Sequence, residues 1–460
     1  MDKKELTRWM EEQRNMIVRI AGQIWDNPET KFEEKYAAKL YTDEMQKRGF
    51  EVKKKVGGLD TAFCASYSNG RPGPVIAILG EYDALANMSQ KADVSYKEAV
   101  EGKKDGHGCG HNLLGAASAL AAWGVQEWMM ENNIPGTVRL YGCPAEEGGG
   151  GKGYMVQNGA FSGVDAVISW HPADYNFVTS GSSLANEEID FTFDGKAAHA
   201  ASAPHLGRSA LDAVELMDIG ANYLREHIIP EARLHYAIID TGGVMPGIVQ
   251  EHAVVRYTVR APEIKDVDSI VERLINIAKG AALMTETQMK KHIMKKTKNL
   301  IPNHTLEEVV YRNMQFCEIP EPDKSELQYA KAIKKTMPKY CTLDNIIKKC
   351  NSEKQREYIK QHRDDWFYNF LLPWLPSDAT QAYSTDVGDV SQVCPTVQLA
   401  AGTWVADSME HTWQVTAQGK SSYACKGTLY AAQVMACAVA DLFMDQEVLN
   451  KAKAELLRKP

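Results

Sequence analysis

Short apolar runs that alternate with helical segments constrain the fold of this chain more than any other feature. Three of them are rich in β-branched residues and bounded by Gly or Pro: PVIAILG (74–80), TVRLYGC (137–143) and DAVISWH (165–171). Runs of this length and composition are typical of buried strands. The segment 111–132, rich in Ala, Leu and Met, is long enough for a helix. Strands that alternate with helices predict an α/β domain with a mostly parallel sheet covered on both faces.

The pattern changes near residue 186, where alternation of apolar and polar residues replaces the buried runs. Such alternation is typical of strands with one covered face, and the helices here carry a single apolar stripe. The predicted elements are strands at 189–193, 253–259 and 287–296 and helices at 207–228 and 267–283. They predict an inserted α+β (ferredoxin-like) domain at 186–298. The first domain is expected to resume at 299 and to end on an apolar helix at 419–444, while 318–375 is polar, Lys-rich and without a clear pattern.

Composition and charge argue against several classes of function. A net charge of −8 argues against a nucleic-acid partner, which needs a basic face. The one basic run, KKHIMKKTK (290–298), is typical of a solvated strand or loop face, with an anion site as the alternative. Residues 1–25 predict an amphipathic helix rather than a signal peptide, and no apolar run is long enough to span a membrane. Nine scattered cysteines do not indicate a disulfide framework, so we expect a cytoplasmic protein.

The motif GHGCGHNLLG (106–115) carries the strongest chemical signal. Cys109 and His111 stand two residues apart in a Gly-rich turn just before the predicted helix. A thiolate and an imidazole at this spacing can reach one metal ion, and Gly108 and Gly110 allow the tight turn that aims both side chains. The alternative is a buried cysteine beside a helix-capping histidine.

A second motif, CPAEEGGGG (143–151), places Glu146 and Glu147 between an apolar strand and four glycines. Paired acidic residues are usually solvated, but surface pairs seldom lie between a buried strand and a Gly-rich loop. In a metallohydrolase one carboxylate binds the metal while its neighbour moves protons.

Polar residues also follow two other predicted strands. His171 ends the strand in DAVISWH, and Glu81 and Asp83 end the strand in PVIAILG. A lone histidine means little, but ligands of open α/β sheets gather beyond the carboxyl ends of the strands. This edge of the sheet would therefore carry Cys, His, Asp and Glu side chains, which predicts a site for one or two transition metals. The mixed N, O and S donors favour zinc or a neighbour such as Mn or Co.

The order of these motifs resembles the M20 metallopeptidase family, in its amidohydrolase branch. The segments that carry the resemblance are IWDNPETKFEE (24–34), GEYDAL (80–85), GHGCGHN (106–112), PAEEGGGG (144–151) and GKAAHAASAPHLGRSALDA (195–213). Asn27 and Asn112 stand where that branch has His and Asp. The resemblance covers nearly the whole chain except 318–375. It implies a dinuclear-metallopeptidase catalytic domain at 1–185 and 299–460, with the inserted domain as its lid and dimerisation domain.

The resemblance also implies roles for individual side chains. The expected metal ligands are Cys109, shared between two metals, and His111, Glu147, His171 and His411. Glu146 would be the general base. His199 in the lid would polarise the substrate carbonyl, often from the other subunit of a dimer, with a capping or surface histidine as the alternative. The expected cofactors are two divalent ions, Zn, Mn or Co.

Three segments indicate the substrate. GHGCGHNLLG, STDVGDVSQ (384–392) and HTWQVTAQGKSS (411–422) are similar to the aminobenzoyl-glutamate hydrolases of this family, which implies cleavage of p-aminobenzoyl-glutamate to p-aminobenzoate and glutamate. An acidic product needs a cationic clamp, and Arg260 and Arg208 are the candidates, although either could be a surface charge. Gly247 stands where the lid usually carries a substrate-holding Asn, so substrate binding is expected to differ from that of the aminoacylases.

The sequence is also compatible with other functions. The chain could be a dipeptidase or aminoacylase of the same family that acts on another N-acyl amino acid. It could also be a non-catalytic metal-binding subunit of a paralogous hydrolase, although the intact Glu146–Glu147 pair argues against this, or a structural protein with an accidental cluster. The expected partners are a small-molecule substrate and either a second copy of the chain or a paralogous subunit, with no nucleic acid and no membrane.

Overall fold

The computed structural model describes residues 1–350 and 352–458, which form two β-sheets and the helices that cover them. The strands are β1 Glu51–Lys54, β2 Phe63–Ser68, β3 Val75–Glu81, β4 Thr137–Cys143, β5 Ala166–Ala173, β6 Tyr175–Val178, β7 Ala185–Asp194, β8 Arg233–Asp240, β9 His252–Ala261, β10 Gln288–Thr297, β11 Tyr368–Leu371 and β12 Thr396–Gly402. The α-helices are α1 Lys3–Glu12, α2 Arg14–Asp26, α3 Lys35–Lys47, α4 His111–Glu131, α5 Gly151–Gln157, α6 Ala210–Leu224, α7 Ile264–Thr285, α8 His304–Phe316, α9 Lys324–Lys334, α10 Thr342–Lys349, α11 Glu353–Lys360, α12 Val387–Ser391, α13 Trp413–Gln418, α14 Ser422–Met444 and α15 Gln446–Arg458.

The larger sheet has eight strands in the order β1-β2-β4-β3-β5-β12-β6-β11. Its four central strands, β4, β3, β5 and β12, are parallel, while β2 and β6 run antiparallel to their central neighbours. The three apolar runs of the sequence form β3, β4 and β5, because β-branched side chains pack well on a sheet that is covered on both faces. This confirms the predicted α/β class. The carboxyl ends of the parallel strands lie at one edge, where Glu81 and His171 are found.

Two apolar helices pack against each other beside this sheet. α4 is buried on nearly all sides, and it contacts α14, α2 and β3. α14 is long and apolar enough to cross a membrane, but 83% of its most apolar window is buried in the protein. A helix that is apolar all round belongs in a core or in a membrane, and the burial of α14 is that of a core helix.

The second sheet, which we call the lid sheet, is antiparallel in the order β10-β7-β9-β8. α6 and α7 cover one face around a separate apolar core that includes Phe191 and Leu274. At one end of this sheet Asn186 pairs with Arg260 of β9 and with Thr297 of β10. β7 begins and β10 ends here, so this end of the lid sheet adjoins the first domain.

Two regions differ from the sequence predictions. The single N-terminal helix is two helices, because the backbone at Gln13 leaves the helical conformation (φ −90°, ψ 4°). The break lets α2 lie along α4 with Ile17, Ile20 and Ile24 buried. The unpatterned segment 318–375 holds α9, α10, α11 and β11, short elements that each bury few side chains and therefore leave a weak periodic signal.

Candidate metal centre

The predicted metal ligands lie around one cavity at the carboxyl end of the parallel strands. Cys109, Glu147, His171 and His411 line this cavity, whose volume is about 460 Å³, and His111 lies buried beside it. Cys109 Sγ is 3.5 Å from His171 Nε2, and His411 Nε2 is 3.4 Å from Glu147 Oε2. His111 Nε2 is 4.0 Å from Glu147 Oε1. Side chains from four separate loops or strand ends thus bring N, O and S donors within reach of common ions.

The turn before α4 aims Cys109 and His111 in the same direction. Gly110 has the left-handed φ of +73° that a glycine adopts without strain. A Cβ at this position would lie only 3.0 Å from the ring of Trp404 and 3.1 Å from Pro172. Any larger residue would therefore have to displace Trp404 or Pro172 and would strain the turn that carries Cys109 and His111.

Hydrogen bonds orient two of the imidazoles. Asp83 Oδ1 lies 2.9 Å from His111 Nδ1, and Asp83 Oδ2 accepts the backbone N–H of Glu147 at 2.9 Å. His171 Nδ1 lies 2.8 Å from the carbonyl of Pro172. With Nδ1 occupied in each ring, Nε2 is the atom left for a metal, the usual arrangement of metal-binding histidines.

The loop that carries the two glutamates is held in a strained conformation. Ala145, just before Glu146, has a φ of +59°, which costs on the order of 1–3 kcal/mol in a residue with a Cβ. Glu34 supports it, because its Oε1 accepts the Ala145 N–H at 2.9 Å and its Oε2 accepts the Thr61 hydroxyl at 2.8 Å. Burial, with a contribution from the charge of Asp83, raises the pKa of Glu34 to about 7.

The donor set fits divalent transition metals. His111 is fully buried, and its Nε2 has no hydrogen-bond partner among the described residues. Burial, together with the charges of Glu147, Glu410 and Glu146, raises the pKa of the Cys109 thiol well above its ordinary value. A dication would offset the negative charge of the carboxylates around this thiol and would favour its thiolate form.

Glu146 lies next to the predicted ligands of this centre. One of its oxygens is within 4.8 Å of donor atoms of His111 and Glu147. Desolvation on burial and the negative charge of Glu147 both raise the pKa of Glu146. The positive charges of Lys295, Lys152 and His111 lower it by more, so that the pKa of Glu146 lies below its ordinary value. The carboxylate form is the one a general base requires.

The lid sheet contributes cations to the cavity. Arg260 lines it and donates from Nη1 to Ser384 Oγ at 3.0 Å. Lys295 of β10 also lines it and donates from Nζ to the backbone carbonyl of Glu146 at 2.5 Å. The basic run 290–298 is therefore not only a solvated face.

The other predicted lid residues lie outside the cavity of their own chain. Arg208 donates from Nε to Glu286 at 2.7 Å on the lid surface. His199 is exposed, and its Nδ1 accepts the N–H groups of Ala201 and Ser202 at 3.2 Å each. Gly247 has open space around its Cβ position. In the described part of this chain alone, neither Arg208 nor His199 reaches the metal centre.

Several side chains at or beside this site had no clear signal in the sequence. Lys295 lies within a basic run that looked solvated, and Glu34 lies within the segment 24–34 that carries part of the family resemblance. Lys152 and Asp386 form a buried ion pair beside Glu81. Only the tertiary structure brings these residues together, since they are far apart along the chain.

Comparison with known proteins agrees with this geometry. Residues 77–294 match Peptidase family M20/M25/M40. The chain is 44% identical over 449 residues to the B subunit of the p-aminobenzoyl-glutamate hydrolase of Escherichia coli (strain K12), covering 97% of this chain and 93% of the relative. It is 28% identical over 234 residues to the A subunit of the same organism's hydrolase, covering 49% of this chain and 53% of that relative. The Bacillus subtilis YXEP protein, a dinuclear metal-binding peptidase from the M20 family, has a similar structure, with a TM-score of 0.55 at 15% identity over 92% of this chain and 99% of that one. The chain therefore belongs to Peptidase family M20/M25/M40.

Proposed function

We propose that this chain, a metal-dependent hydrolase, cleaves the amide bond of p-aminobenzoyl-glutamate to release p-aminobenzoate and glutamate. The observation that carries the proposal is one cavity in which metal donors and the Glu146 base face two lid cations, Arg260 and Lys295. An acidic leaving group matches these cations. The name of the E. coli relative, a hydrolase of the same compound, supports the same substrate.

The residues divide the chemistry between them. We propose that Cys109 is shared by two ions, Zn, Mn or Co, with His111, His171, Glu147 and His411 as the other ligands. When bound, the metals supply Lewis acidity that activates a water and polarises the amide carbonyl. Glu146 takes the proton of the attacking water and passes it to the leaving nitrogen.

A hydrolysis screen tests the reaction. The metal-reconstituted protein is offered N-acyl and N-aroyl amino acids, including p-aminobenzoyl-glutamate, its glutamine and alanine analogues, and neutral aliphatic conjugates. We expect the highest kcat/KM for p-aminobenzoyl-glutamate. A preference of tenfold or more, about 1.4 kcal/mol of transition-state energy, for a neutral aliphatic conjugate would exclude this substrate but not the hydrolase activity.

Arg260 is proposed to bind a carboxylate of the glutamate moiety. Arg260→Ala should lower kcat/KM for p-aminobenzoyl-glutamate about 10–100-fold, because a hydrogen bond to a charged group is worth about 1.5–3 kcal/mol. Most of the change should be in KM, since the carboxylate is bound in the ground state as well as in the transition state. Steady-state kinetics on the glutamate and alanine substrates measure both parameters.

Arg208 is the matched comparison, because it is also a lid arginine but pairs with Glu286 outside the cavity. If Arg208 binds the substrate carboxylate, it does so in a neighbouring protomer. Arg208→Ala should therefore raise KM only in the assembled protein. An unchanged KM in both Arg260→Ala and Arg208→Ala would place the clamp elsewhere, and Lys295 would be the next residue to replace.

The lid is proposed to join this chain to a second protomer, either a copy or a paralogous chain. β8 is an edge strand, and around it Ile239, Val244 and Met245 are 53%, 92% and 63% exposed. Exposed apolar side chains beside an open strand edge are typical of an interface. The names of the two E. coli relatives, which are the two different subunits of one hydrolase, favour a paralogous partner. The histidine at the position of His199 in the other protomer would then reach the substrate carbonyl.

Sedimentation velocity tests the assembly. The active species should exceed the 51.1 kDa mass of the chain by at least the mass of one further protomer, either a copy or the paralogous chain. The double substitution Val244→Asp and Met245→Asp should dissociate it and lower activity, whereas Leu457→Asp, at an exposed site on α15, should do neither. A monomer with full activity would contradict both the interface and the role of His199 in trans.

The reaction is proposed to take place in the cytoplasm, in the breakdown of folate-derived compounds. All nine cysteines are free thiols, as is usual in a reducing compartment. The metal ligand Cys109 also requires a reduced thiol.

A further inference from the structure

A fully buried lysine lies directly behind the metal centre. Lys152, at the start of α5, has no exposed surface, and its Nζ lies 2.5 Å from Asp386 Oδ1 and 2.7 Å from Glu81 Oε1. Asp386 and Glu81 are also buried. Taking three charges out of water is costly unless their geometry is tightly held, and none of the proposed roles of the ligands or of Glu146 explains this triad.

Glu81 connects the triad to the metal centre. Its Oε1 faces Lys152, and its Oε2 lies 3.4 Å from His111 Nε2. Two donors of a tetrahedral zinc ion, each about 2.0–2.2 Å from the metal, lie about 3.3–3.6 Å apart. The Cys109–His171 and His411–Glu147 donor pairs have similar separations, 3.5 and 3.4 Å.

The facing atoms of Glu81 and His111 are not joined by a hydrogen bond. Nδ1 of His111 is engaged by Asp83, and Nε2 has no hydrogen-bond partner among the described residues although it is completely buried. When the proton of His111 is on Nδ1, facing Asp83, the Nε2 atom and the Glu81 oxygen that face each other both offer lone pairs, and a cation between them would satisfy both. The same cation would then be within reach of both atoms.

Lys152 and Asp386 hold Glu81 in this position. Asp386 Oδ2 accepts the backbone N–H of Lys152 at 2.9 Å while Oδ1 accepts from its ammonium, so the lysine is fixed at both ends. The ammonium lies 2.7 Å from Oε1 of Glu81, and Oε2 is the oxygen that faces His111 in the metal centre.

We propose that Glu81 is a further metal ligand, additional to Cys109, His111, Glu147, His171 and His411, and that the Lys152–Asp386 pair is the positioning element that holds its carboxylate. This inference rests on the proposed function only in taking the centre to bind divalent metal. It assigns Glu81 to the ion held by His111.

Metal titration of the Glu81→Gln variant tests the ligand role. Apo-protein is titrated with Co²⁺, and binding is followed by visible absorption and by metal analysis, independently of activity. We expect Glu81→Gln to lose at least about tenfold in affinity for one equivalent and to change the Co²⁺ spectrum. Glu44→Gln is the matched control, because Glu44 is also a buried, ion-paired glutamate, bound to Arg19 at 2.6 Å away from the metal centre.

The holding role predicts a second result. Lys152→Met should also lower the affinity for the Co²⁺ equivalent that Glu81→Gln affects. Asp386→Asn should lower this affinity less strongly, because the lysine remains. If Lys152→Met binds Co²⁺ more tightly, the lysine only repels the metal and the positioning role is wrong. If Glu81→Gln matches the wild type in stoichiometry, affinity and spectrum, Glu81 is not a ligand.

A measurement on the unaltered protein covers the case in which the variants fail to fold. Anomalous diffraction from crystals soaked in Zn²⁺ should place an ion about 2.0–2.2 Å from Glu81 Oε2. An ion bound by His111 but well outside that bonding distance from Glu81 would overturn the proposal while leaving the hydrolase function intact. Failure of the wild type to bind any metal would instead contradict the proposed function itself.

Discussion

Replacement of Glu146 by glutamine is expected to lower kcat by about 10²–10⁴-fold, the usual contribution of a general acid–base group. Glutamine keeps the size of the side chain but cannot accept the proton of the attacking water. The metal ligands are untouched, and Lys295 binds the backbone carbonyl of residue 146 rather than its side chain. Fold and metal content should therefore stay as in the wild type.

The neighbouring glutamate provides the contrast. Glu147→Gln should lower metal occupancy, because the Glu147 carboxylate faces both His411 and His111. Single-turnover kinetics and metal analysis on the two variants separate the roles. Equal loss of metal from both variants, with substrate binding unchanged, would show that the division between base and ligand is wrong.

Removal of the metal is expected to abolish activity completely. The purified protein should carry one to two equivalents of a divalent transition metal, and chelation should reduce hydrolysis to the background rate. Addition of Zn²⁺, Mn²⁺ or Co²⁺ should restore it, because the metal supplies the Lewis acidity that polarises the amide carbonyl. Mass-spectrometric metal analysis of the samples used for the activity assay relates the rate of hydrolysis to the metal content.

The same experiment has a stability readout. Acidic groups and the Cys109 thiol lie buried close together around His111, so a bound dication should stabilise the folded state. An ion at about 100 times its Kd would add about 2.7 kcal/mol, which thermal unfolding with and without chelator can detect. A carefully prepared sample that is fully active without stoichiometric metal would contradict the metal-dependent mechanism.

Much of the catalytic domain could be predicted because its strongest signals are local. β3, β4 and β5 coincide with continuous β-branched runs, and α4 with an uninterrupted apolar segment, since burial on both faces leaves a pattern within a few residues. The break at Gln13 could not be predicted, because the packing of α2 against α4 decides it. The secondary structure of residues 318–375 could not be predicted either, because their short helices share a small core with β11 and with Ala406 on a later loop.

The chemistry of the metal centre was determined by the sequence itself, through the residue types and the turns that carry them. Cys109 and His111 in a glycine turn, and Glu146 beside Glu147, have a spacing suited to metal binding and proton transfer. What only the tertiary structure decided is which distant residues complete the centre. Lys295 reaches the Glu146 carbonyl because this end of β10 and the loop after β4 line the same cavity. Lys152, Asp386 and Glu81 meet because β3, α5 and the loop before α12 converge in one buried place. Isolated lysines and carboxylates look solvated in a sequence, since the low dielectric and the partners that give them a function exist only once the chain has folded.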